Sequence, residues 1–220
     1  MQQIWCSMNI SPSKEIILKK IRRALTHKVP LPFSGTEGNN SVFNPPYDDL
    51  AVQFAEAFTA LEGKFIFCDT EKACIQQLME MSAGLKWDKL FCREPHLINL
   101  IHQYFPGFNF HEDLSDCNAS VTGCELLVSR TGSVVLSAAQ EHGRTASVYA
   151  PVHICIAYSK QLVHDLKDAL AYLKNKYGSQ LPSSISFATG PSRTADIEKT
   201  LVVGVHGPGQ VYVFLIDSLP

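Results

Sequence analysis

Apolar and polar positions follow a regular rhythm from residue 47 onwards. Short continuous apolar runs, which are typical of buried strands, alternate with stretches in which apolar residues recur every three or four positions, as in helices. The pattern predicts a helix that Gly63 ends, a strand at 64–68, a helix from about 70 to 82, a strand at 89–92 and a helix at 94–104. This β-α-β-α order favours a parallel sheet with right-handed crossovers.

The next part of the chain has shorter spacings. Four strand-like segments are separated by Gly123, Gly132 and Gly143; they are 118–121, 125–129, 133–137 and 152–158. Such short connections suit hairpins, so some antiparallel pairing is expected here. A helix at 160–177 and strands at 184–189 and 210–217 complete the prediction, which is an α/β domain with a mostly parallel sheet, flanking helices and some antiparallel pairing.

The first 46 residues differ from the rest. Residues 11–27 carry one apolar stripe at helical spacing, and a segment rich in proline, glycine and asparagine follows them. This predicts an N-terminal helix joined by an irregular linker over residues 1–46, and one α/β domain over residues 47–220.

Composition narrows the class of protein. The 220 residues include 19 basic and 21 acidic side chains, which give a net charge of −2, and the main basic cluster has the spacing of a solvated helix face. Nucleic acid is therefore not an expected partner. No run of about 18 apolar residues predicts a membrane span, and the N-terminus lacks the pattern of a secretory signal, so a cytoplasmic location is expected.

The pattern of the seven cysteines also favours a cytoplasmic location. None stands at C-x-x-C spacing, so neither a zinc site nor an iron–sulphur cluster motif can be recognised in this chain, and no metal site is predicted. Cys68, Cys92 and Cys155 lie in or beside apolar runs and are expected to be reduced core residues.

Three glycine-containing segments are candidates for a ligand site, since ligands of parallel sheets bind at strand ends. They are Thr131-Gly132-Ser133, residues 189–196 after one predicted strand, and residues 204–209 before the last.

In the second segment, a strand opening into a helix-like run at 195–203 would aim backbone N–H groups at an anion. The ligand-binding candidates in the second and third segments are Gly190, Ser192, Arg193, Thr194, Asp196 and Gly207. The alternative is helix capping, with Ser192 or Thr194 as the cap and Arg193 in solvent.

Two histidines and one further arginine extend the candidate site. His206 lies in a glycine-rich loop, where it could donate to a ligand, act as a general acid or base, or serve structurally. His153, at the start of a strand, could face it or be a hydrogen-bonded core residue. Arg144 is a second candidate for anion binding, with an exposed turn position as its alternative.

The motif pair Thr189–Glu198 and Gly204–Pro208 resembles the signature of the LutC/YkgG lactate-utilisation family, whose members consist of a LUD domain. Supporting matches are Val121-Thr122-Gly123, Thr131-Gly132-Ser133, Gly143-Arg144 and Pro151-Val152-His153-Ile154. The resemblance implies a fold similar to the NagB/RpiA/CoA-transferase group. It also implies a three-component system that oxidises L-lactate to pyruvate, in which the iron–sulphur clusters belong to two companion proteins and this chain is the cluster-free component.

One position departs from the family pattern. Members commonly have an acidic residue just before the Thr-Gly of the middle loop, whereas this chain has Arg130. A transferase-like role for that acid is therefore not available here, and the arginine is expected to strengthen anion binding beside Arg193 and Arg144.

The leading hypothesis is a component of a lactate-oxidising iron–sulphur assembly that binds a small anionic ligand, with His206 as the catalytic candidate. Two alternatives stay open: a stand-alone enzyme acting on a sugar phosphate or CoA ester, and a non-catalytic assembly or regulatory subunit. Association of the chain with itself is also left open.

Overall fold

The structure is a computed structural model that describes residues 12–26, 49–197 and 200–217. Its strands are β1 (Lys64–Cys68), β2 (Leu90–Cys92), β3 (Ala119–Thr122), β4 (Leu126–Val128), β5 (Ser133–Ser137), β6 (Val152–Tyr158), β7 (Leu162–Val163), β8 (Ile185–Ala188), β9 (Arg193–Ile197), β10 (Thr200–Val203) and β11 (Gln210–Ile216). Its helices are α1 (Pro12–Leu25), α2 (Leu50–Ala60), α3 (Glu71–Leu85), α4 (Pro95–Tyr104), α5 (Ala146–Tyr149) and α6 (Leu166–Tyr177).

The main sheet has five strands in the order β1-β11-β6-β3-β2, and every neighbouring pair is parallel. A second, four-stranded sheet runs β7-β4-β5-β8 and is mostly antiparallel. The predicted α/β class, with a parallel sheet and some antiparallel pairing, is confirmed.

Alternation along the central strands builds two cores on the two faces of the main sheet. Ile154 and Ile156 of β6 pack with α3 and α4, whereas Cys155 and Ala157 face α2 and the second sheet. Leu173 of α6 packs on the outer face of the second sheet. The result is a layered domain, because each sheet buries both of its faces.

Two predicted helices have a different structure. The stretch predicted as a helix at 160–177 begins with a short 3-10 turn and β7, and α6 starts only at Leu166. Asp165 determines that start, since its side chain accepts from the Leu166 N–H and Asp168 returns a bond to the Asp165 N–H.

The prediction of a helix at 195–203 is wrong. That stretch contains β10 and most of β9, which pair antiparallel, with Val203 opposite Arg193 and Val202 opposite Thr194. β-Branched residues such as Val202 and Val203 favour the strand conformation, and cross-strand pairing favours it further.

Residues 12–26 and residues 49–217 belong to separate units, with the division between Pro45 and Pro46. In α1, the side chains of Ile16, Ile17 and Ile21 are about half exposed, at 57%, 57% and 48%. The linker predicted between the two units, and Cys6, lie outside the described residues. In the described ranges, no helix has the length and apolar character needed to cross a membrane.

Candidate functional site

The two motif loops predicted to form the site meet in the structure. The Ser192 N–H donates to the Pro208 carbonyl at 2.9 Å, and the Gly204 N–H donates to the Ser192 carbonyl, also at 2.9 Å. Gly207 lies so close to Ser192 that a Cβ on it would come within 2.8 Å of the Ser192 Cβ. Glycine at 207 is therefore required for the loops to approach each other.

The loops border a cavity of about 310 Å³, which we call the histidine-lined pocket. Its polar lining comes from Ser147, His153, Ser186, Thr189, Ser192 and His206. His153 and Val211, at the starts of β6 and β11, place the pocket at the amino ends of the parallel strands. The expectation of a site beyond the carboxyl ends is therefore wrong. Strand β8, which leads into residues 189–196, belongs to the second sheet, and residues 204–209 precede β11.

The loop Thr131-Gly132-Ser133 lies behind the wall of the histidine-lined pocket. Ser133 Oγ is 2.7 Å from Thr131 Oγ1 and 2.8 Å from Thr189 Oγ1, so a chain of hydroxyl groups ends at the pocket wall. Gly132 has φ +59°, and a Cβ there would lie 2.6 Å from the Phe58 backbone nitrogen. Its role is thus close packing against α2, and Gly132 does not line the pocket.

Gly190 has a similar packing role. Its φ is +87°, and a Cβ would lie 2.6 Å from the Leu61 carbonyl oxygen, at the C-terminal end of α2. Both conditions favour glycine, since other residues are strained at positive φ and this one would also clash.

The arginines predicted to bind an anion bind protein groups. Arg193 donates to the Leu61 carbonyl at 3.0 Å and forms an ion pair with Glu62 at 3.2 Å. Arg130 makes two bonds to the buried Asp165 carboxylate, at 3.0 and 2.9 Å, and thereby lowers the pKa of Asp165. The expectation that Arg130 strengthens anion binding is not supported, because its charge is already paired.

Two other polar residues predicted for the site do not line the histidine-lined pocket. The guanidinium of Arg144 donates to Ser183 Oγ at an exposed position, and Arg144 does not line the histidine-lined pocket. Thr194 lies in β9, beyond the pocket wall. Asp196 lies in the same strand, and its side chain is outside the described part of the chain. Because β9 and β10 form a hairpin in place of the predicted helix, the dipole expected from that helix is not available to the pocket.

His206 and His153 both reach the pocket, but they differ in environment. His206 is exposed at the rim. His153 is 1% exposed, and its Nε2 lies 2.8 Å from Thr122 Oγ1. Burial, with a smaller effect of nearby His142, lowers the pKa of His153 to about 3, so this ring is neutral at physiological pH.

His142 is a buried residue that the sequence did not single out. It is 1% exposed, and neither ring nitrogen has a hydrogen-bond partner among the described residues. Burial lowers the pKa of His142. The charge of Glu94 and the backbone of Gly143 act in the opposite direction and favour the charged ring, although the Gly143 backbone makes no hydrogen bond to it. In the described ranges, no group of three or more metal-binding side chains is assembled.

A second cavity, of about 450 Å³, lies at the opposite end of the parallel strands, and we call it the strand-end pocket. Its lining includes Glu94 after β2, Gly123 after β3 and Tyr158 at the end of β6. Sequence reasoning missed it because its lining residues, apart from Gly123 of the match Val121-Thr122-Gly123, form no local motif. The available signal was the position of polar residues just after predicted parallel strands.

One wall of the strand-end pocket is a satisfied buried carboxylate. Glu125 accepts from Ser137 Oγ, Lys176 Nζ and Tyr177 Oη, each at 2.6 Å. Burial alone would raise the pKa of Glu125, but the bonds from Lys176, Ser137 and Tyr177 outweigh burial and lower it. Glu125 is therefore a charged structural anchor.

Fold and site together define a layered α/β protein whose parallel sheet carries a polar pocket at each end. Its family follows from the sequence: a model of the LUD domain matches residues 102–216, slightly more than half of the chain, and the chain belongs to the LUD domain family. The resemblance drawn from the paired motifs is thereby confirmed.

Relatives and a solved structure agree. Lactate utilization protein C of Bacillus licheniformis is 37% identical over 103 residues, which are 46% of this chain and 43% of that protein. Lactate utilization protein C of Geobacillus sp. strain WCH70 is 38% identical over 147 residues, 60% of this chain and 61% of that protein. The chain thus spans about half the length of the curated relatives it matches. A DUF162 family protein from Deinococcus radiodurans shares the fold, with a TM-score of 0.53 at 17% identity over 76% of this chain and 96% of that one.

Proposed function

We propose that this chain is the cluster-free component of an iron–sulphur-dependent system that oxidises L-lactate to pyruvate, and that its histidine-lined pocket takes up a small anionic ligand. The observation that carries the proposal is the meeting of the two motif loops around one cavity. The family and its relatives, which are named lactate utilization protein C, support the pathway.

The pocket recognises an anion through neutral donors. The hydroxyl groups of Ser186, Thr189 and Ser192 line it, and the arginines nearby are paired with protein groups. A small carboxylate fits such a lining, because hydroxyl groups donate hydrogen bonds to carboxylate oxygens. His206, exposed at the rim, is the candidate for proton transfer with a hydroxy acid.

The pathway part of the proposal is tested by growth. Deleting the gene from a host that has no second copy should abolish growth on L-lactate and leave growth on glucose unchanged. Complementation with the natural sequence should restore growth, and complementation with Ser192→Ala should restore it less well. Normal growth of the deletion strain on lactate would contradict the pathway assignment.

The ligand part is tested on the purified chain. Native mass spectrometry looks for a retained small molecule, and calorimetry measures binding of L-lactate and pyruvate. Ser192→Ala and His206→Ala should each weaken binding several-fold, since each removes one pocket donor. Ser179→Ala, an exposed serine away from the pocket, is the matched control. Equal affinity of all three variants would remove this pocket from the proposal.

The partner part is tested by co-purification. We propose that the chain associates with iron–sulphur companion proteins, which supply the redox centres. A tagged chain, isolated under anaerobic conditions from lactate-grown cells, should bring down proteins whose visible absorption bleaches on reduction. A tagged chain that brings down no iron-containing protein would contradict this association.

A further inference from the structure

His153 contributes a buried imidazole ring to the wall of the histidine-lined pocket, and only 1% of the residue is exposed. We propose that this ring determines the specificity of the pocket: Nδ1 of His153 accepts a hydrogen bond from the 2-hydroxyl group of the ligand, so that a 2-hydroxy acid binds and the 2-oxo acid of the same size is rejected. The inference rests on the small carboxylate proposed above and adds the group that selects among such acids.

Hydrogen bonding fixes the position of the ring proton. His153 Nε2 lies 2.8 Å from Thr122 Oγ1, and Thr122 Oγ1 lies 2.9 Å from the Gly123 carbonyl oxygen. A hydroxyl group has one hydrogen to donate, and a carbonyl oxygen can only accept. Both contacts are hydrogen bonds only when Thr122 donates to the carbonyl and His153 Nε2–H donates to Thr122. The neutral ring therefore carries its proton on Nε2.

The other ring nitrogen, Nδ1, is then a hydrogen-bond acceptor. Burial lowers the pKa of His153 to about 3, which keeps the ring neutral with one donor and one acceptor nitrogen. In the described part of the chain Nδ1 has no hydrogen-bond partner, yet it is not sealed from solvent as both ring nitrogens of His142 are. An acceptor without a partner in a pocket wall is the group that a ligand donor satisfies.

The direction of the ring agrees with this role. Thr122, the partner of Nε2, belongs to β3 and does not line the pocket, so the Nε2 side of the ring points away from the ligand. The ring shares the pocket wall with the hydroxyl groups of Ser186, Thr189 and Ser192. A 2-hydroxy acid complements both kinds of group, because its carboxylate accepts from the hydroxyl groups and its own hydroxyl group donates to Nδ1.

A 2-oxo acid of the same size lacks that donor. Its keto oxygen would direct a lone pair at the lone pair of His153 Nδ1, and both groups would stay unpaired. Sites that bind a ligand hydroxyl group discriminate against analogues that lack it. In the oxidation of lactate, the product would therefore bind this pocket more weakly than the substrate.

Calorimetry on the full chain with two matched pairs tests the proposal: L-lactate against pyruvate, and L-2-hydroxybutyrate against 2-oxobutyrate. We expect the hydroxy acid to bind at least about tenfold more tightly than its oxo acid. Equal affinities, or preference for the oxo acid, would overturn the specificity and leave the lactate proposal standing. Failure of all four acids to bind at millimolar concentration would overturn both.

Substitutions at Thr122 separate the acceptor role from the shape of the pocket. Thr122→Ser keeps the hydroxyl group and should keep the preference. Thr122→Val removes the partner of Nε2–H, so the ring is expected to move its proton to Nδ1 and to donate there. The preference should then shift towards the oxo acid by at least about tenfold. If His153 only filled space, Thr122→Val would change the two affinities in parallel, and that result would overturn the proposal.

Two further measurements address the ring itself. His153→Gln, whose amide can donate to Thr122 but leaves no acceptor at the Nδ1 position, should abolish the preference. His142→Gln, at the nearby buried histidine outside the pocket, should keep it. Nitrogen-15 NMR of the histidine rings, with His153 assigned from the signal that His153→Gln lacks, reads the proton position without any ligand. A proton found on Nδ1 of His153 in the natural chain would overturn the proposal.

Discussion

The two pockets lie at opposite ends of the same parallel strands and are built on different principles. The histidine-lined pocket depends on close backbone approach. Gly190 allows its loop to lie against Leu61 at the end of α2, and Gly207 allows its loop to lie against Ser192. The strand-end pocket is formed by side-chain charge: Glu94, Glu125 and Lys176 come from three separate segments. The paired family motifs mark the first pocket, whereas the second contains only Gly123 from a supporting match. A local motif can therefore reveal a site that depends on close backbone packing. It reveals less readily a site whose charged side chains come from distant segments of the chain.

The largest expected effect removes the charge network. Glu125→Ala leaves the Ser137 and Tyr177 hydroxyl groups and Lys176 without their acceptor, so the free energy of unfolding should fall by about 3 kcal/mol. Urea denaturation of this variant beside Glu112→Ala, an exposed acid, measures the difference. A loss for Glu125→Ala as small as that of its control would show that the strand-end pocket does not depend on buried charge.

The next effect tests the backbone principle. Gly190→Ala should cost about 2 kcal/mol, because the new Cβ both strains a φ of +87° and meets the Leu61 carbonyl at 2.6 Å. Gly143→Ala is the control: its φ is +69°, but nothing lies within 4 Å of the added Cβ. The difference between the two measures the close approach alone. Equal losses would mean that the loop does not need to lie against α2.

The sequence predicted the layered α/β fold well, because the five strands of the main sheet and most helices carry their own local pattern. It failed at 195–203, where cross-strand pairing outweighed a weak helical spacing, and at Arg193 and Arg130, whose partners Glu62 and Asp165 are set by tertiary contacts. An arginine beside a motif can be assigned to an anion or to the protein only when its neighbours are known. The meeting of the two motif loops could be anticipated, and the position of residues 204–209 before the last strand already implied an amino end for that loop. The place of β8 in the second sheet could not be anticipated, because strand order is not a local property.

A third effect depends on pH and concerns His153 of the histidine-lined pocket. The pKa of His153 is about 3 in the fold and near 6.5 when unfolded. Between these values the unfolded chain binds a proton that the folded chain does not. Stability should therefore fall as the pH drops below about 6.5, by up to about 1.4 kcal/mol per pH unit for this ring.

Denaturation at pH 7, 6 and 5 measures this slope. His153→Gln, which can still bond to Thr122, should flatten it, whereas Ser179→Ala, at an exposed serine, should leave it unchanged. Identical slopes in the natural chain and in His153→Gln would contradict a neutral, buried His153.

The smallest effect concerns the residue on which the anion hypothesis first depended. Arg193 is partly exposed and holds the end of α2 through Leu61 and Glu62, so Arg193→Ala should cost only about 0.5–1 kcal/mol of stability. Since the guanidinium is already engaged there, ligand binding in the histidine-lined pocket should change little, in contrast to Ser192→Ala. Glu62→Gln, which removes only the exposed ion-pair partner, should cost less than Arg193→Ala. If Arg193→Ala instead abolished ligand binding while Glu62→Gln did not, the guanidinium would have to leave α2 to reach the ligand, and the neutral-donor account of the first pocket would fail.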